Sequence, residues 1–402
     1  MIPYAEARRL ISEAVLAHPV ISQETVLLSQ SLGRVAAGEL YGREPIPPFA
    51  NSSMDGYALA HARALGASGA SPKTLPVLGT ILAGDAPRCQ AESGVWKIMT
   101  GAPIPAGCDA VIPVEQTRSI DGGRAVELLV SPHEGDFIRG AGQDFAPGAQ
   151  VCPAGTRLGP RHLMALAAVG VVEVAVRRKP RVALLATGRE LAAPGRPLGP
   201  GQIHDASSAY LAAECERLGY QLDFHGIVPD DAALFAASMD RVLSAGCDVI
   251  LTTGAVSMGD ADFIPKALEE LGAKTIFHKV AIKPGRPVLF AEFPQGPFFF
   301  GLPGNPVSTV VGLKFFVEPC LRDLLGQPEE AVLRCRLDQR VDKPENLRCF
   351  YKARRRGVGS VEILPAQASF QIHSLLAADC WAVLPEEGGH LNAGAEIDVY
   401  EA

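Results

Sequence analysis

The sequence contains no apolar run long enough to cross a membrane. Its longest run, residues 163–172, spans ten positions and is followed by Glu173, whereas a transmembrane helix needs about 20 apolar residues. Glu6, Arg8 and Arg9 interrupt the segment that would have to be continuously apolar in a secretory signal. We therefore expect a cytoplasmic protein that neither spans a membrane nor is exported.

Cysteine and histidine are present, but not in the spacings that bind metals. The nine cysteines are an odd number scattered from Cys89 to Cys380, and none belongs to a Cys-x-x-Cys pair. The nine histidines form no helical pairs with one another or with cysteine. This pattern argues against a zinc site and predicts reduced thiols.

Basic residues are also not in excess, since the net charge of the chain is −7. This balance argues against a surface made chiefly to bind nucleic acid, although it leaves room for a local basic pocket. The composition, 48% hydrophobic and 20% charged, is that of a globular protein. The chain has 402 residues, so at about 150 residues per domain we expect two to four domains.

The pattern from residue 181 onwards predicts a doubly wound, mostly parallel α/β domain. Short apolar runs alternate there with helical segments, as they do in consecutive strand–helix units. We predict strands at 182–186, 222–228, 249–251, 277–282, 288–290 and 298–302, and helices at 207–218, 231–244, 263–271 and 306–325.

Two short helices are predicted near the amino terminus from apolar residues at helical spacing. The first set is Ala7, Leu10, Ile11, Ala14 and Val15, and the second is Leu32, Val35 and Ala36. Three prolines within residues 44–54 then predict a linker or an exposed loop.

The segments that flank the α/β domain are rich in short β-like runs. Runs at 76–81, 95–99, 110–115 and 125–130 predict a β-rich module. A helix at 160–169 and a strand at 171–176 follow it, so the module reads as an insertion in a composite αβ domain made from both flanks. After residue 331, short runs separated by turns fit a small β barrel or sandwich.

The stretch 247–262 joins a buried strand to a small-residue loop. Its apolar core is 249–251, and the loop is 252–259. Ligands of open α/β sheets sit beyond the carboxyl ends of the strands, where backbone amides can approach an oxyanion. The carboxylate of Asp262 could hold Mg²⁺ against a phosphate. In the alternative interpretation, Asp260 or Asp262 only caps a helix.

Two further segments predict anion contacts at the same edge of the sheet. Asn305 is suited to cap a helix and Pro306 to begin it, and the free amides of such a helix start would bind phosphate. Lys283 and Arg286 lie on a proline-stiffened loop and could hold an oxyanion. The alternatives are a well-capped structural helix and ordinary solvated cations.

Three carboxylates also follow predicted strands of this sheet, namely Glu190, Asp230 and Asp262. One edge of the sheet therefore collects acidic and basic side chains together. We predict a metal-assisted reaction on an anionic, phosphorylated ligand, with carboxylates holding the cation and Lys283 and Arg286 offsetting developing charge.

Seven short motifs are spread along essentially the whole chain. They are Asn51-Ser52-Ser53-Met54-Asp55-Gly56-Tyr57-Ala58, Met99-Thr100-Gly101-Ala102-Pro103, Gly142-Gln143-Asp144, Ala186-Thr187-Gly188-Arg189-Glu190-Leu191, Gly254-Ala255-Val256-Ser257 with Asp262, Ile282-Lys283-Pro284-Gly285-Arg286-Pro287 and Leu302-Pro303-Gly304-Asn305-Pro306. In this order they resemble the motifs of the MoeA family, which includes the gephyrin E domain. Members of this family are molybdopterin molybdenumtransferases of molybdenum cofactor synthesis.

The resemblance implies an elongated homodimer whose subunits have four domains. These would be a composite N-terminal domain (1–45 and 140–178), an inserted β-rich module (46–139), a molybdopterin-binding α/β domain (179–328) and a C-terminal β barrel (329–402). It also implies that adenylylated molybdopterin binds to the α/β domain and that molybdate is inserted at the dithiolene sulfurs. The phosphoanhydride would be hydrolysed with Mg²⁺ and AMP released, and molybdopterin adenylyltransferase is a candidate partner.

The resemblance further implies a site built across the dimer, with Asp55, Thr100 and Asp144 facing the other subunit's α/β domain. By pattern alone, Asp55 is a turn aspartate and Thr100 a strand-end threonine. The catalytic residues implied are Asp55, Thr100, Asp144, Glu190, Asp230, Asp262, Lys283 and Arg286. Those implied for phosphate and pterin are Gly254, Val256, Ser257, Pro303, Gly304, Asn305, Pro306 and Ser308, and those for the metal are Glu190 and Asp262.

The sequence departs from the family pattern at three places. Ala255 stands where the pattern has a second glycine, Arg189 where it has an acid, and Phe263-Ile264-Pro265 where it has a Tyr-Thr-Lys-like run. An alanine costs backbone freedom only where a positive φ is needed. One alternative is therefore a catalytically weakened paralogue acting as a dimeric scaffold. Another is an α/β enzyme such as an adenylyltransferase, although the whole-chain match argues against it.

Overall fold

The computed structural model describes residues 1–86, 93–256, 263–294 and 296–402. In these ranges, no helix combines the length and the apolar character that a bilayer span requires. The helices are Tyr4–Leu16, Pro160–Ala168, Ala206–Arg217, Ala232–Ala245, Ile264–Glu270, Pro306–Gly312 and Glu318–Leu324, and a π-helical turn, Leu313–Val317, joins the last two.

A six-stranded sheet forms the centre of the molecule. Its first four strands are parallel, and its last two run antiparallel to their neighbours. In spatial order the strands are Gln221–Val228, Arg181–Thr187, Val249–Thr253, Phe298–Leu302, Leu289–Glu292 and Lys274–His278. This confirms the predicted doubly wound, mostly parallel α/β fold.

Helices cover both faces of this central sheet, which is why inner strands such as Val249–Thr253 and Phe298–Leu302 are buried without alternation. Val182 and Leu184 face one core together with the helix Ala206–Arg217 and the helical segment from Pro306. Ala183 and Leu185 face the opposite core, which includes residues of the helices Ala232–Ala245 and Ile264–Glu270. Consecutive residues point to opposite faces because a strand has a side-chain period of two.

The β-rich module contains a second six-stranded sheet, in agreement with the four predicted runs. Its strands in spatial order are Ala110–Pro113, Gly56–Leu59, Val95–Ile98, Lys73–Ile81, Ala125–Leu128 and Thr117–Ile120. Short antiparallel pairs join its two flanks, namely Gln23–Leu27 with Glu173–Arg177, Leu40–Tyr41 with Gln150–Cys152, and Asn51–Ser52 with Ile138–Arg139.

The C-terminal strands form a small closed β barrel, as predicted. The strand Arg348–Arg356 pairs with strands on both sides and so closes the sheet. The other strands are Ile282–Lys283, Leu333–Leu337, Ser360–Ile363, Cys380–Leu384 and Glu396–Glu401. Two further short pairs are Val341–Asp342 with His390–Leu391 and Leu191–Ala192 with Ile203–His204.

Two sequence predictions of secondary structure are wrong. The second N-terminal helix is absent from the described chain: Gly33 has φ +74°, and Val35 and Ala36 form isolated bridges to Arg157 and Val176. The predicted strand 277–282 is also split. Its first part belongs to the central sheet, but Ile282 pairs with Arg348 of the barrel. Both errors arise because these short apolar segments pair with parts of the chain that are distant in the sequence.

Candidate functional site

Two glycine turns meet at the carboxyl edge of the central sheet. The Gly254 amide donates to the carbonyl of Leu302 at 3.0 Å, and a Cβ on Gly304 would lie 3.5 Å from the Gly254 Cα. Gly254 has φ +86°, and a Cβ there would lie 2.3 Å from the Thr187 carbonyl oxygen. Only glycine fits this position, because a side chain would strain the backbone and overlap a neighbouring strand end.

The residue after Gly254 adopts a strained conformation. Ala255 has φ +49°, so it meets the condition under which alanine costs backbone freedom. The next residue, Val256, is buried, and its carbonyl accepts a hydrogen bond from His278 Nε2 at 2.9 Å. Ser257 and Asp262 lie outside the described residues. The described part of the loop is therefore held at both ends while Ala255 carries the strain.

The helix that starts at Pro306 follows directly from the second turn. Pro306 is its first residue and Asn305 occupies the N-cap position, as expected, but the Asn305 side chain makes no capping hydrogen bond. Thr309 Oγ1 instead donates to the Pro303 carbonyl at 2.7 Å. The expectation of free amides here is partly wrong, because the Val307 amide donates to a carbonyl of the C-terminal barrel.

Lys283 ends the short strand Ile282–Lys283, and Arg286 follows it on a loop beside this helix start; both side chains are exposed. Gly285, between them, has φ +96°, and a Cβ there would approach the Ser308 carbonyl oxygen to 3.4 Å. The loop borders a cavity of about 470 Å³. Its lining residues are Ile282, Lys283, Pro284, Gly285, Arg286, Pro287, Pro303, Asn305, Ser308, Pro344, Leu347, Gln367, Ala368 and Ser369. We call this the Lys283 cavity.

Five of these lining residues belong to the C-terminal barrel and were missed from the sequence. They are Pro344, Leu347, Gln367, Ala368 and Ser369. Neutral loop residues such as these form no recognisable motif. The signal that places them at the cavity is three-dimensional: Ile282 and Lys283 pair with Arg348 and Cys349 of the barrel.

Glu190 and Asp230 lie at neighbouring strand ends. The Arg189 amide approaches Asp230 Oδ2 at 3.4 Å, and the Thr187 hydroxyl donates to the Thr253 carbonyl at 2.8 Å. The Glu190 carboxylate lies over Gly188, where a Cβ would be 2.7 Å from Oε1. The structure thus brings both predicted carboxylates to the edge that holds the Gly254 turn.

These carboxylates have the chemistry that Mg²⁺ prefers, because hard cations take oxygen ligands. Both are exposed. Within residues 1–86, 93–256, 263–294 and 296–402, however, no group of three His, Cys, Asp or Glu side chains could hold a metal ion. Glu190 and Asp230 are thus two exposed carboxylates at neighbouring strand ends, and Asp262, the other predicted metal ligand, lies outside the described residues.

Asp55 and Thr100 form a pair inside the β-rich module. One carboxylate oxygen of Asp55 accepts hydrogen bonds from the Thr100 amide at 2.7 Å and from its hydroxyl at 2.8 Å. These two donors hold the pKa of the Asp55 carboxyl below its ordinary value. Both side chains are exposed. The carboxylate is therefore ionised and oriented toward the outside of its own module.

The three motifs of the N-terminal half converge on the proline-rich segment. The Gly101 amide donates to the Ser52 carbonyl at 2.8 Å, and the Asp144 amide donates to the Ile46 carbonyl at 2.9 Å. Asp144 is exposed. In the described part of the chain, no hydrogen bond joins Asp55, Thr100 or Asp144 to the edge of the central sheet.

Three family descriptions match consecutive parts of the chain. Residues 2–170 match the MoeA N-terminal region (domain I and II). Residues 183–323 match a probable molybdopterin binding domain, and residues 330–402 match the MoeA C-terminal region (domain IV). Together these matches cover nearly the whole chain.

Individual proteins are similar over the full length as well. A molybdopterin molybdenumtransferase of Synechococcus elongatus is 40% identical, with 99% of each chain covered. One of Haemophilus influenzae is 34% identical over 94% of this chain and 93% of its own. The crystal structure of a molybdopterin biosynthesis moeA protein from Pyrococcus horikoshii OT3 is 27% identical, with a TM-score of 0.86 and both chains fully covered.

Proposed function

Since the chain belongs to the MoeA family and is a transferase of molybdenum cofactor biosynthesis, we propose that it inserts molybdate into adenylylated molybdopterin. The phosphoanhydride of that substrate is hydrolysed in the process and AMP is released. The observation that carries this proposal is the Lys283 cavity, which is lined by two cations and by Pro303 and Asn305 of the second glycine turn. That turn packs against Gly254, at the edge of the central sheet where the strands that lead to Glu190 and Asp230 end.

Each part of this edge has a role in binding the substrate. Lys283 and Arg286 bind the phosphates by charge-assisted hydrogen bonds, while Gly254 and Gly304 leave room for the substrate to approach the backbone. The other proposed contacts to phosphate and pterin are Val256, Ser257, Pro303, Asn305, Pro306 and Ser308.

The carboxylates provide the metal site in this proposal. Glu190 and Asp262 hold Mg²⁺, and Asp230 approaches the amide of Arg189, the residue before Glu190. Mg²⁺, when bound, supplies positive charge to phosphate oxygens at the bond that is cleaved. Glu190 reaches its position because Gly188 has no side chain to displace the carboxylate.

We propose that Asp55, Thr100 and Asp144 complete the site from the other subunit of a homodimer. The observation that favours this arrangement is that the Asp55–Thr100 pair is pre-formed, ionised and exposed in a separate module. The substrate must first be adenylylated, so a molybdopterin adenylyltransferase is the proposed supplier and partner.

The proposed chemistry can be tested with purified protein, molybdopterin-AMP, molybdate and Mg²⁺, by measuring AMP release. Glu190→Ala and Asp262→Ala should each lower the rate by about 100-fold or more, the usual loss when a transition-state stabilising group is removed. The matched control is Asp240→Ala, an exposed acid on the helix Ala232–Ala245. Full activity in both site variants would refute the assigned roles.

The shared site can be tested by mixing two inactive variants, Asp55→Ala and Glu190→Ala, under conditions that exchange subunits. A heterodimer then has one site with both defects and one intact site, so about a quarter of wild-type activity should return for an isologous dimer. If all site residues came from the same subunit, the mixture would remain inactive.

One observation favours a second candidate function, a catalytically weakened paralogue that acts as a dimeric scaffold. Ala255 is strained at the centre of the proposed binding loop. Complementation of a bacterium that lacks its own molybdenum insertase separates the two functions, with nitrate reductase activity as the readout. Rescue at low molybdate supports the transferase, whereas failure by a soluble dimer supports the scaffold.

A further inference from the structure

Two lysines of the C-terminal barrel are buried without a carboxylate partner among the residues that the structure describes. Lys343 is 6% exposed and Lys352 is 0% exposed. Burial lowers the pKa of Lys352. Burying an ammonium group costs free energy unless its N–H donors are hydrogen bonded. The acceptors of these two lysines therefore indicate what the lysines do.

All the acceptors of these two lysines are backbone carbonyls. Lys343 Nζ donates to Pro344 at 3.2 Å, to Glu386 at 3.0 Å and to Leu347 at 3.5 Å. Lys352 Nζ donates to Ala366 at 2.7 Å and to Gln371 at 2.9 Å. Each ammonium group therefore ties together parts of a loop and is buried out of direct contact with a ligand.

The two loops held in this way form one wall of the Lys283 cavity. We call residues 344–347 and 365–371 the wall loops. Pro344 and Leu347 line the cavity from the first loop, and Gln367, Ala368 and Ser369 line it from the second. Lys283 and Arg286 line the same cavity. The position of the wall loops therefore decides how much space a ligand of the two cations has.

The second wall loop is fixed at several points. The amide of Lys352 donates to Gln367 Oε1 at 3.0 Å, and Gln367 Nε2 donates back to the Lys352 carbonyl at 2.8 Å. The Ser369 carbonyl accepts from the Val307 amide at the helix start. Lys352 is thus connected, through the short segment 366–371, to the helix that begins at Pro306.

We propose that Lys343 and Lys352 are positioning residues, which hold the wall loops at the distance from Lys283 and Arg286 that the adenylylated pterin requires. This inference rests on the proposed function, because it assigns the cavity to that substrate. Neither lysine touches the substrate. Each acts through backbone carbonyls, so its loss changes binding more than the chemical step.

The test compares Lys352→Met and Lys343→Met with Lys73→Met, a control at an exposed lysine on the β-rich module. KM and kcat are measured with molybdopterin-AMP, and hydrogen exchange is followed in residues 344–347 and 365–371. Each barrel variant should raise KM by about tenfold with kcat changed less than about twofold, as expected when binding is lost equally from ground and transition states. Exchange in the loop that the variant releases should become faster.

A milder variant covers the case in which Lys352→Met does not fold. The Ser374 hydroxyl donates to the same two carbonyls, Ala366 at 3.0 Å and Gln371 at 3.4 Å. Ser374→Ala should therefore raise KM in the same direction by a smaller factor, without changing any residue that lines the cavity.

Two results would overturn the inference. If the variants melt at lower temperature but keep the wild-type KM, the lysines stabilise the barrel alone. If the wild-type chain and Lys73→Met also do not turn over molybdopterin-AMP, the proposed function is wrong, and so is this inference, which depends on it. The behaviour of the control distinguishes the two failures.

Discussion

Replacing Ala255 with glycine should stabilise the folded protein. Ala255 has φ +49°, a left-handed conformation that costs an alanine about 1–2 kcal/mol. It cannot relax, because Gly254 is hydrogen bonded to Leu302 on one side and Val256 is buried and bonded to His278 on the other. The strain is therefore retained in the folded state.

The net gain is smaller than the strain itself. Glycine loses more conformational entropy on folding than alanine does, which offsets about 0.5–1 kcal/mol. Ala255→Gly should accordingly stabilise the folded state by about 0.5–1 kcal/mol, or raise the melting temperature of the domain by about 2 °C. Calorimetry on the wild-type and variant proteins measures this shift.

The functional consequence follows from the place of the residue. Because Gly254 and Val256 hold Ala255 in this conformation whether or not substrate is bound, Ala255→Gly should leave the affinity for molybdopterin-AMP within about twofold of the wild-type value. Asp121→Gly is the control for the change in stability, since Asp121 also has a positive φ of +52° but lies in the β-rich module. A melting temperature that stays the same or falls in Ala255→Gly would refute the strain argument.

Three further changes test other parts of the site. Gly254→Ala should lower the melting temperature and abolish turnover, because its Cβ would lie 2.3 Å from the Thr187 carbonyl oxygen; normal stability would contradict this backbone geometry. Thr100→Ala should raise the pKa of Asp55 toward its ordinary value in an NMR titration. Since the folded pKa is lowered, the pair stabilises the protein at neutral pH, and this is lost as the pH falls through that pKa; an unchanged titration would rule the pair out. Lys283→Met should weaken molybdopterin-AMP binding by about tenfold in equilibrium titrations, and unchanged affinity would remove Lys283 from the phosphate site.

Local sequence patterns were sufficient to predict a helix or strand wherever its side chains are buried at regular intervals. The helix Tyr4–Leu16 follows from apolar residues spaced three and four apart, four of which are buried. The strand Val249–Thr253 follows from a run that is buried on both faces of a parallel sheet. The order of strands and helices after residue 181 then led to the α/β fold, because crossover connections limit the possible topologies.

The same patterns did not predict strand pairing between segments that are distant in the sequence. The strand Arg348–Arg356 closes the barrel, yet its sequence ends in three arginines and contains Lys352 at its centre. That lysine is compatible with a buried strand only because carbonyls of residues 366 and 371 accept its protons. This arrangement cannot be predicted from the sequence of the strand itself, because it depends on a loop that follows later in the chain.

The sequence by itself determined which residue types stand at the ends of the strands, and therefore that Glu190, Asp230 and the Gly254 turn share one edge. A parallel sheet places all such ends on the same side. Only the tertiary structure decided what faces them. Lys283 pairs with the barrel rather than with the central sheet, and the wall loops close the cavity from that side. The reason is physical: strand ends are set by local chain direction, whereas a cavity is made by surfaces that meet only after folding.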